Sequence, residues 1–137
     1  MIVVDTNVLS ELMRPAPNGQ VVGWLRSNAA KIAIPSVVIG ELGYGIARLP
    51  RGKRKESLTL ALDALVERFS GSLIAYDVLA ARACGDILAT AESAGRPMTL
   101  ADAQISACAR IARAALATRN IADFATTGLK IIDPWSS

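Results

Sequence analysis

The chain has no histidine. That one absence removes the Ser-His-Asp triad, the Cys-His pair and every histidine-based zinc site. Hydrolytic chemistry here must run on carboxylates, working through a hard divalent cation. Cysteine is scarce as well. Cys84 and Cys108 are the only two, neither in a CxxC pair, which argues against a disulfide framework and a zinc site. Aromatic residues make up 4% of the chain, so the core has to be built mostly from Ala, Leu, Ile and Val. No apolar run approaches the roughly 20 residues needed to span a membrane. The N-terminus lacks the basic segment and small-residue cleavage site of a signal peptide. These features lead us to expect a cytoplasmic protein with no membrane partner.

What is present is ample core material. With 137 residues, 52% hydrophobic and 20% charged, a single domain over 1–137 is the natural reading. The formal charge is only +3, but it is concentrated. "RLPRGKRK" places Arg48, Arg51, Lys53, Arg54 and Lys55 within eight residues, and Arg110, Arg113 and Arg119 form a looser group. Basic clusters attract phosphate backbones, although a solvated loop and helix start would have the same composition.

The pattern along the chain alternates. "MIVVD" (1–5), "KIAIP" (31–35), "GSLIAYD" (71–77), "ALATRN" (115–120) and "LKIIDPW" (129–135) read as short strands. Between them lie helices over 6–14, 20–28, 36–49, 53–69, 78–94 and 99–114, with Ser36 and Thr99 as caps and Asp77 available for a third. The first strand is continuously apolar, as in a sheet covered on both faces. The order β-α-α-β-α-α-β-α-α-β-β implies a three-layer α/β/α domain around a mainly parallel sheet.

In such sheets ligands bind outside the carboxyl ends of the strands, so the acids there are the candidates. Asp5 ends the first strand, Glu41 follows the second, Asp102 lies in the first turn after Thr99, and Asp123 follows Asn120. Each has a structural alternative. Asp5 caps helices well. Asp102 occupies the third position of a capping box. Asp123 suits a turn. Glu41 is expected to be partly buried in an ion pair. Three glycines around it, Gly40, Gly43 and Gly45, are expected to let the helix approach a neighbour closely. As a set, carboxylates converging without basic partners call for a cation, and an all-oxygen site fits Mg²⁺ or Mn²⁺. With a basic flank, the substrate class is a phosphodiester.

"MIVVDTNVLSELMRP", "IPSVVIGELGYGIARL", "TLADAQISACA" and "LATRNIADFATTGLKIIDPW" resemble, in that order, the PIN-domain ribonucleases, specifically the FitB-like branch of the VapC toxins. The resemblance spans nearly the whole chain. It implies an Mg²⁺-dependent endoribonuclease (with Mn²⁺ as a substitute) in which Asp5, Glu41, Asp102 and Asp123 are the catalytic and metal-binding acids. Thr6, Asn7, Thr118 and Asn120 would support them, and Arg51, Lys53, Arg54 and Arg119 would hold the RNA backbone. Where some relatives carry an aspartate directly after "TR", this chain has Asn120, so Asp123 ranks ahead of it as the fourth acid. The resemblance further implies a homodimer, a substrate such as tRNA or another structured RNA, and a VapB-type antitoxin through which the complex would bind DNA. The surface of residues 36–69 is the expected antitoxin groove. Two other readings compete: a PIN-like RNA- or protein-binding module with weakened catalysis, and a phosphatase with an aspartate nucleophile. The latter is disfavoured because "DTN" lacks the second aspartate of a D-x-D arrangement.

Overall fold

The structure, a computed structural model, describes residues 1–136. Five short strands, β1 (Ile2–Val4), β2 (Ile32–Pro35), β3 (Leu73–Ile74), β4 (Ala115–Ala117) and β5 (Ile131–Ile132), form one sheet of order β3-β2-β1-β4-β5. All four pairings are parallel. Six helices, α1 (Thr6–Leu12), α2 (Gly19–Ser27), α3 (Ser36–Ala47), α4 (Lys53–Arg68), α5 (Val78–Ser93) and α6 (Leu100–Ala112), complete a three-layer α/β/α arrangement. None of the described helices is long and apolar enough to cross a membrane.

Strand order decides where a ligand can bind. The chain moves outward from β1 through β2 to β3, then returns past them to build β4 on the other side of β1. The order therefore reverses between β1 and β4, and the crevice at their carboxyl ends is where a ligand site forms in sheets of this type. The strands that frame it are buried: Val3, Val4, Leu116 and Ala117 are wholly shielded from solvent. They pack with Val8, Leu9, Val38 and Phe124 in the main core. A second apolar cluster, of Ala80, Ala83, Cys84, Ile87, Ala103, Ala107 and Cys108, joins α5 to α6. Both cysteines are free and buried there, and burial raises the Cys108 thiol to about 11.

Local chemistry fixes the ends of the elements. The Asp77 carboxylate accepts from Ala80 N–H at 2.9 Å and the Thr99 hydroxyl from Asp102 N–H at 3.2 Å, so α5 and α6 start on side-chain caps. At the end of α5, Gly95 takes φ +71°, with its own N–H donating to Glu92 and that of Arg96 to Ala91. This is a Schellman closure, which favours glycine at that position. Ser36 departs from expectation. Pro35 holds the capping position, Ser36 is already helical, and its hydroxyl instead accepts from Tyr76 N–H at 3.1 Å. The third strand is also far shorter than 71–77, because Ser70–Ser72 form a 3-10 turn and only Leu73 and Ile74 pair.

Candidate active site

Asp5 stands immediately after β1, 5% exposed, at the reversal of the strand order. Its backbone N–H donates to the Ala117 carbonyl at 2.9 Å, which joins the ends of β1 and β4. Its carboxylate accepts from Thr6 N–H at 2.7 Å, the Thr118 hydroxyl at 2.7 Å and Asn7 Nδ2 at 3.3 Å. Capping is thus only part of what Asp5 does, since a cap does not need a threonine from the end of β4. Burial pushes its carboxyl above the ordinary range, with the charges of Glu41 and Asp123 adding to the rise, against the Thr118 and Thr6 bonds. Thr118, fully buried, also accepts from Asn120 N–H at 3.1 Å, and Asn7 Oδ1 accepts from Arg119 N–H at 3.4 Å. The residues expected to support the acid are therefore laced into one network around it.

Asp102 is half-buried at the start of α6 and is pushed up to about 6. Burial is the main cause, followed by the charge of Asp5. Hydrogen bonding with Thr99 opposes the rise, and Asp123 and Glu41 add to it. α3 packs against α6, which carries Glu41 toward Asp102. Glu41 is not in a buried ion pair. It is exposed, and its carboxylate accepts from the Thr6 hydroxyl at 2.5 Å. Nor do its glycine neighbours serve a close approach, because a Cβ at Gly40, Gly43 or Gly45 would meet nothing within 4 Å. Asp123 is exposed in a 3-10 turn (Ile121–Phe124) anchored by buried Phe124 and by Arg96, whose guanidinium donates to the Ala122 carbonyl at 3.1 Å.

The four acids come from four separate segments and act on one another through their charges. Among the described residues the ion pair found is Glu11–Arg14, so the cluster has no cationic partner. Its chemistry, all oxygen and surplus negative charge, fits a hard divalent cation. Its spacing is looser: among the described residues, no three side chains of His, Cys, Asp or Glu are gathered closely enough to hold an ion as they stand. The acids face one another at Coulombic range, with both Asp5 oxygens engaged by donors.

The basic residues separate. Arg119 is exposed beside Thr118 at the acid edge, with its guanidinium 5.1 Å from the centre of the Trp135 ring. Arg54 lines a groove of about 890 Å³ between α1, α3 and α4 that also includes Arg14, Glu41, Gly45 and Leu58. Arg51 and Lys53 are exposed at the α3–α4 turn. Lys55 is occupied in closing α3, donating to the Ala47 and Leu49 carbonyls. Arg110 holds the Thr127 carbonyl at 2.9 Å, and Arg113 lies at the far end of α6 from Asp102, roughly 16 Å along the axis. The looser basic group is therefore not one surface. Two residues were not singled out from the sequence. Glu11, 4% exposed, pairs with Arg14 at 3.3 Å, and its position one turn beyond Asn7 on α1 was the available signal. Trp135, at the end of the "IIDPW" segment, is the other.

Thr118→Val tests the network. The change leaves Asp5 short of a donor and Asn120 N–H without its acceptor, and is expected to cost about 1–3 kcal/mol in urea unfolding. Thr118→Ser should retain most of the stability. Equal stability of the valine variant and the parent would show that the bond contributes nothing.

A family model described as the PIN domain matches residues 2–128. The chain is 35% identical to the plasmid stability protein StbB of Pseudomonas syringae pv. tomato, over 100% of both chains. It is 33% identical to the VapC ribonuclease Y4jK of Sinorhizobium fredii, over 98% of both. Among solved structures it is similar to FitAcB from Neisseria gonorrhoeae, with a TM-score of 0.92, 32% identity and 100% of both chains covered. FitAB bound to an IR36 DNA fragment follows with a TM-score of 0.91 and 31% identity, over 98% of this chain and 96% of that one.

Proposed function

The chain belongs to the PIN-domain family, among its VapC-type toxins, and from that premise we propose that it is the toxin of a toxin–antitoxin pair, acting as an Mg²⁺-dependent endoribonuclease. The supporting observation is the convergence of Asp5, Glu41, Asp102 and Asp123 at the β1/β4 edge, close enough in charge to help lift Asp102 to about 6. A bound Mg²⁺ would supply the charge that polarises an attacking water and neutralises the phosphoryl oxygens. Asp5 and Asp102 would hold it, with Glu41 and Asp123 completing the charge. Thr118, Thr6 and Asn7 fix the Asp5 carboxylate. Asn120 takes part through its N–H to Thr118, setting the turn that carries Asp123. Attack in line on phosphorus with loss of the 3′-oxygen leaves a 5′-phosphate and a 3′-hydroxyl, with no need of the 2′-hydroxyl. Arg119, Arg51, Lys53 and Arg54 bind the RNA backbone, of tRNA or another structured RNA.

The antitoxin, a VapB-type protein that carries the DNA-binding element, seats a helix in the groove lined by Glu41, Gly45, Arg54 and Leu58. An occupant there would cover Glu41. The active form is a cytoplasmic homodimer, and exposed Val78 and Leu79 on α5 offer apolar surface for it.

The second reading, a PIN-like binding module with weakened catalysis, draws on a specific observation: among the described residues no three acids are gathered closely enough to hold an ion, and Asn120 brings no charge. One experiment separates the two. RNA incubated with the purified chain and Mg²⁺ is end-sequenced, with Asp5→Ala in parallel. New 5′-phosphate ends that disappear in the variant support the nuclease. RNA retained but uncut by the parent chain would leave the binding module.

A further inference from the structure

Ile132 of β5 pairs with Ala117 of β4, so the residues that follow each strand leave the sheet side by side. On one side come Thr118, which holds Asp5, and then Arg119. On the other come Asp133, Pro134 and Trp135. The Asp133 carboxylate accepts from Trp135 N–H at 2.9 Å and from the Ser136 hydroxyl at 2.9 Å, which fixes the terminal turn. The Trp135 ring packs half-buried against the main core, and the Arg119 guanidinium lies over it at 5.1 Å.

Arg119 is exposed and directly follows Thr118, whose hydroxyl donates to Asp5, so its long side chain starts from the acid edge. Arg119 makes no ion pair among the described residues and lies on the ring instead. A cation over a ring face needs no acceptor atom, so the guanidinium N–H donors are not spent on a carboxylate, and those donors match a phosphate edge. A cation–π contact at an exposed site is worth about 0.5–1 kcal/mol, enough to bias the side chain without trapping it.

We infer that Trp135 is a positioning residue that holds Arg119 off the acids and presents its planar guanidinium to an RNA phosphate at the cleavage edge. The inference rests on the nuclease reading for the role in cleavage; the RNA contact itself can be measured without metal.

The test is fluorescence anisotropy with a short labelled single-stranded RNA in EDTA across a salt series, followed by steady-state cleavage in Mg²⁺. Arg119→Gln should weaken binding and lower the salt slope by about 0.7, one single-strand phosphate contact. Trp135→Leu, which leaves the charge of Arg119 in place, should lower affinity roughly two- to fivefold. Arg119→Lys should resemble Trp135→Leu, since the charge remains but the planar guanidinium does not. Trp135→Phe, which keeps a ring and the packing, should retain most of the affinity and controls for a folding defect. In the Arg119→Gln background Trp135→Leu should add nothing, and in cleavage its effect should fall on KM and leave kcat near the parent. Additive losses, an unchanged salt slope in Arg119→Gln, a kcat defect, or no RNA binding by the parent would overturn the inference. Intact binding effects in a chain that never cleaves would overturn the nuclease reading alone.

Discussion

Asp102→Asn is expected to abolish RNA cleavage, by about 10²–10³-fold or more, and to make the cation-free protein more stable. Both effects share one cause. The Asp102 carboxylate is half-buried and faces Asp5, Asp123 and Glu41, so its charge is unfavourable until something positive joins it. Asn is nearly the same shape and carries no charge. The cap bond from Asp102 N–H to the Thr99 hydroxyl uses the backbone and survives the change, and the asparagine Oδ1 can still accept from Thr99 in place of the carboxylate. A rise in Tm of roughly 2–6 °C in EDTA is the expected size for relief of about 1 kcal/mol. Asp5→Asn provides the contrast. It too should be inactive, but it places an amide where Asp5 accepts from Thr6 N–H, Asn7 and Thr118, and it should lose about 1–3 kcal/mol. Cleavage assays and melting curves on both variants decide the matter. A fully active Asp102→Asn protein would remove the acid set from the reaction. A lower Tm for that variant would mean that Asp102 serves the fold, as a capping residue does.

How much of the fold and the acid edge was legible beforehand depends on which physical signal each feature leaves in a linear sequence. Asp5 was legible because a buried strand ending on a carboxylate is local, and the alternation of apolar strands and helices fixes which edge it meets. The parallel sheet came from the same alternation, and the reversal at β1/β4 is its consequence in space. The exposure of Glu41 is not legible, for an equally clear reason. Apolar neighbours such as Val38 and Leu42 lie on the buried face of α3, whereas Glu41 lies on the open face with the glycines. Composition around a helical residue does not say which face it is on when small residues blur the stripe. Two members of the basic groups are taken up by the fold. Lys55 and Arg110 spend their donors on backbone carbonyls, a use that depends on distant chain and leaves no local mark. The Arg119–Trp135 contact joins the ends of two paired strands, so it is visible only with the register of β4 and β5.

The second large effect is thermal and depends on pH. The folded Asp102 carboxyl titrates at about 6, against 3.8 for the ordinary group, and Asp5 is shifted in the same direction. Between those values the folded chain holds a proton that the unfolded chain releases. Stability contributed by these groups therefore falls as pH rises through 6 and is regained as pH drops below it. In EDTA the protein should melt higher at pH 5.5 than at pH 7.5, opposite to the usual acid destabilisation by paired carboxylates. A divalent cation bound at the same oxygens should reverse the order, because it would bind only after the proton has left. Mg²⁺ at about a hundredfold above its Kd should add roughly 2.7 kcal/mol at pH 7.5, on the order of 10 °C in Tm, and far less at pH 5.5. The loose spacing of the acids makes this the more searching of the two experiments, since ion binding has to draw Glu41 or Asp123 inward against the hydrogen bonds that now hold the edge. Scanning fluorimetry at the two pH values, with EDTA or MgCl₂, reads all four conditions. An Mg²⁺ gain equal at both pH values, or absent at pH 7.5 in the parent and in Asp102→Asn alike, would show that the acid edge is not where the cation binds.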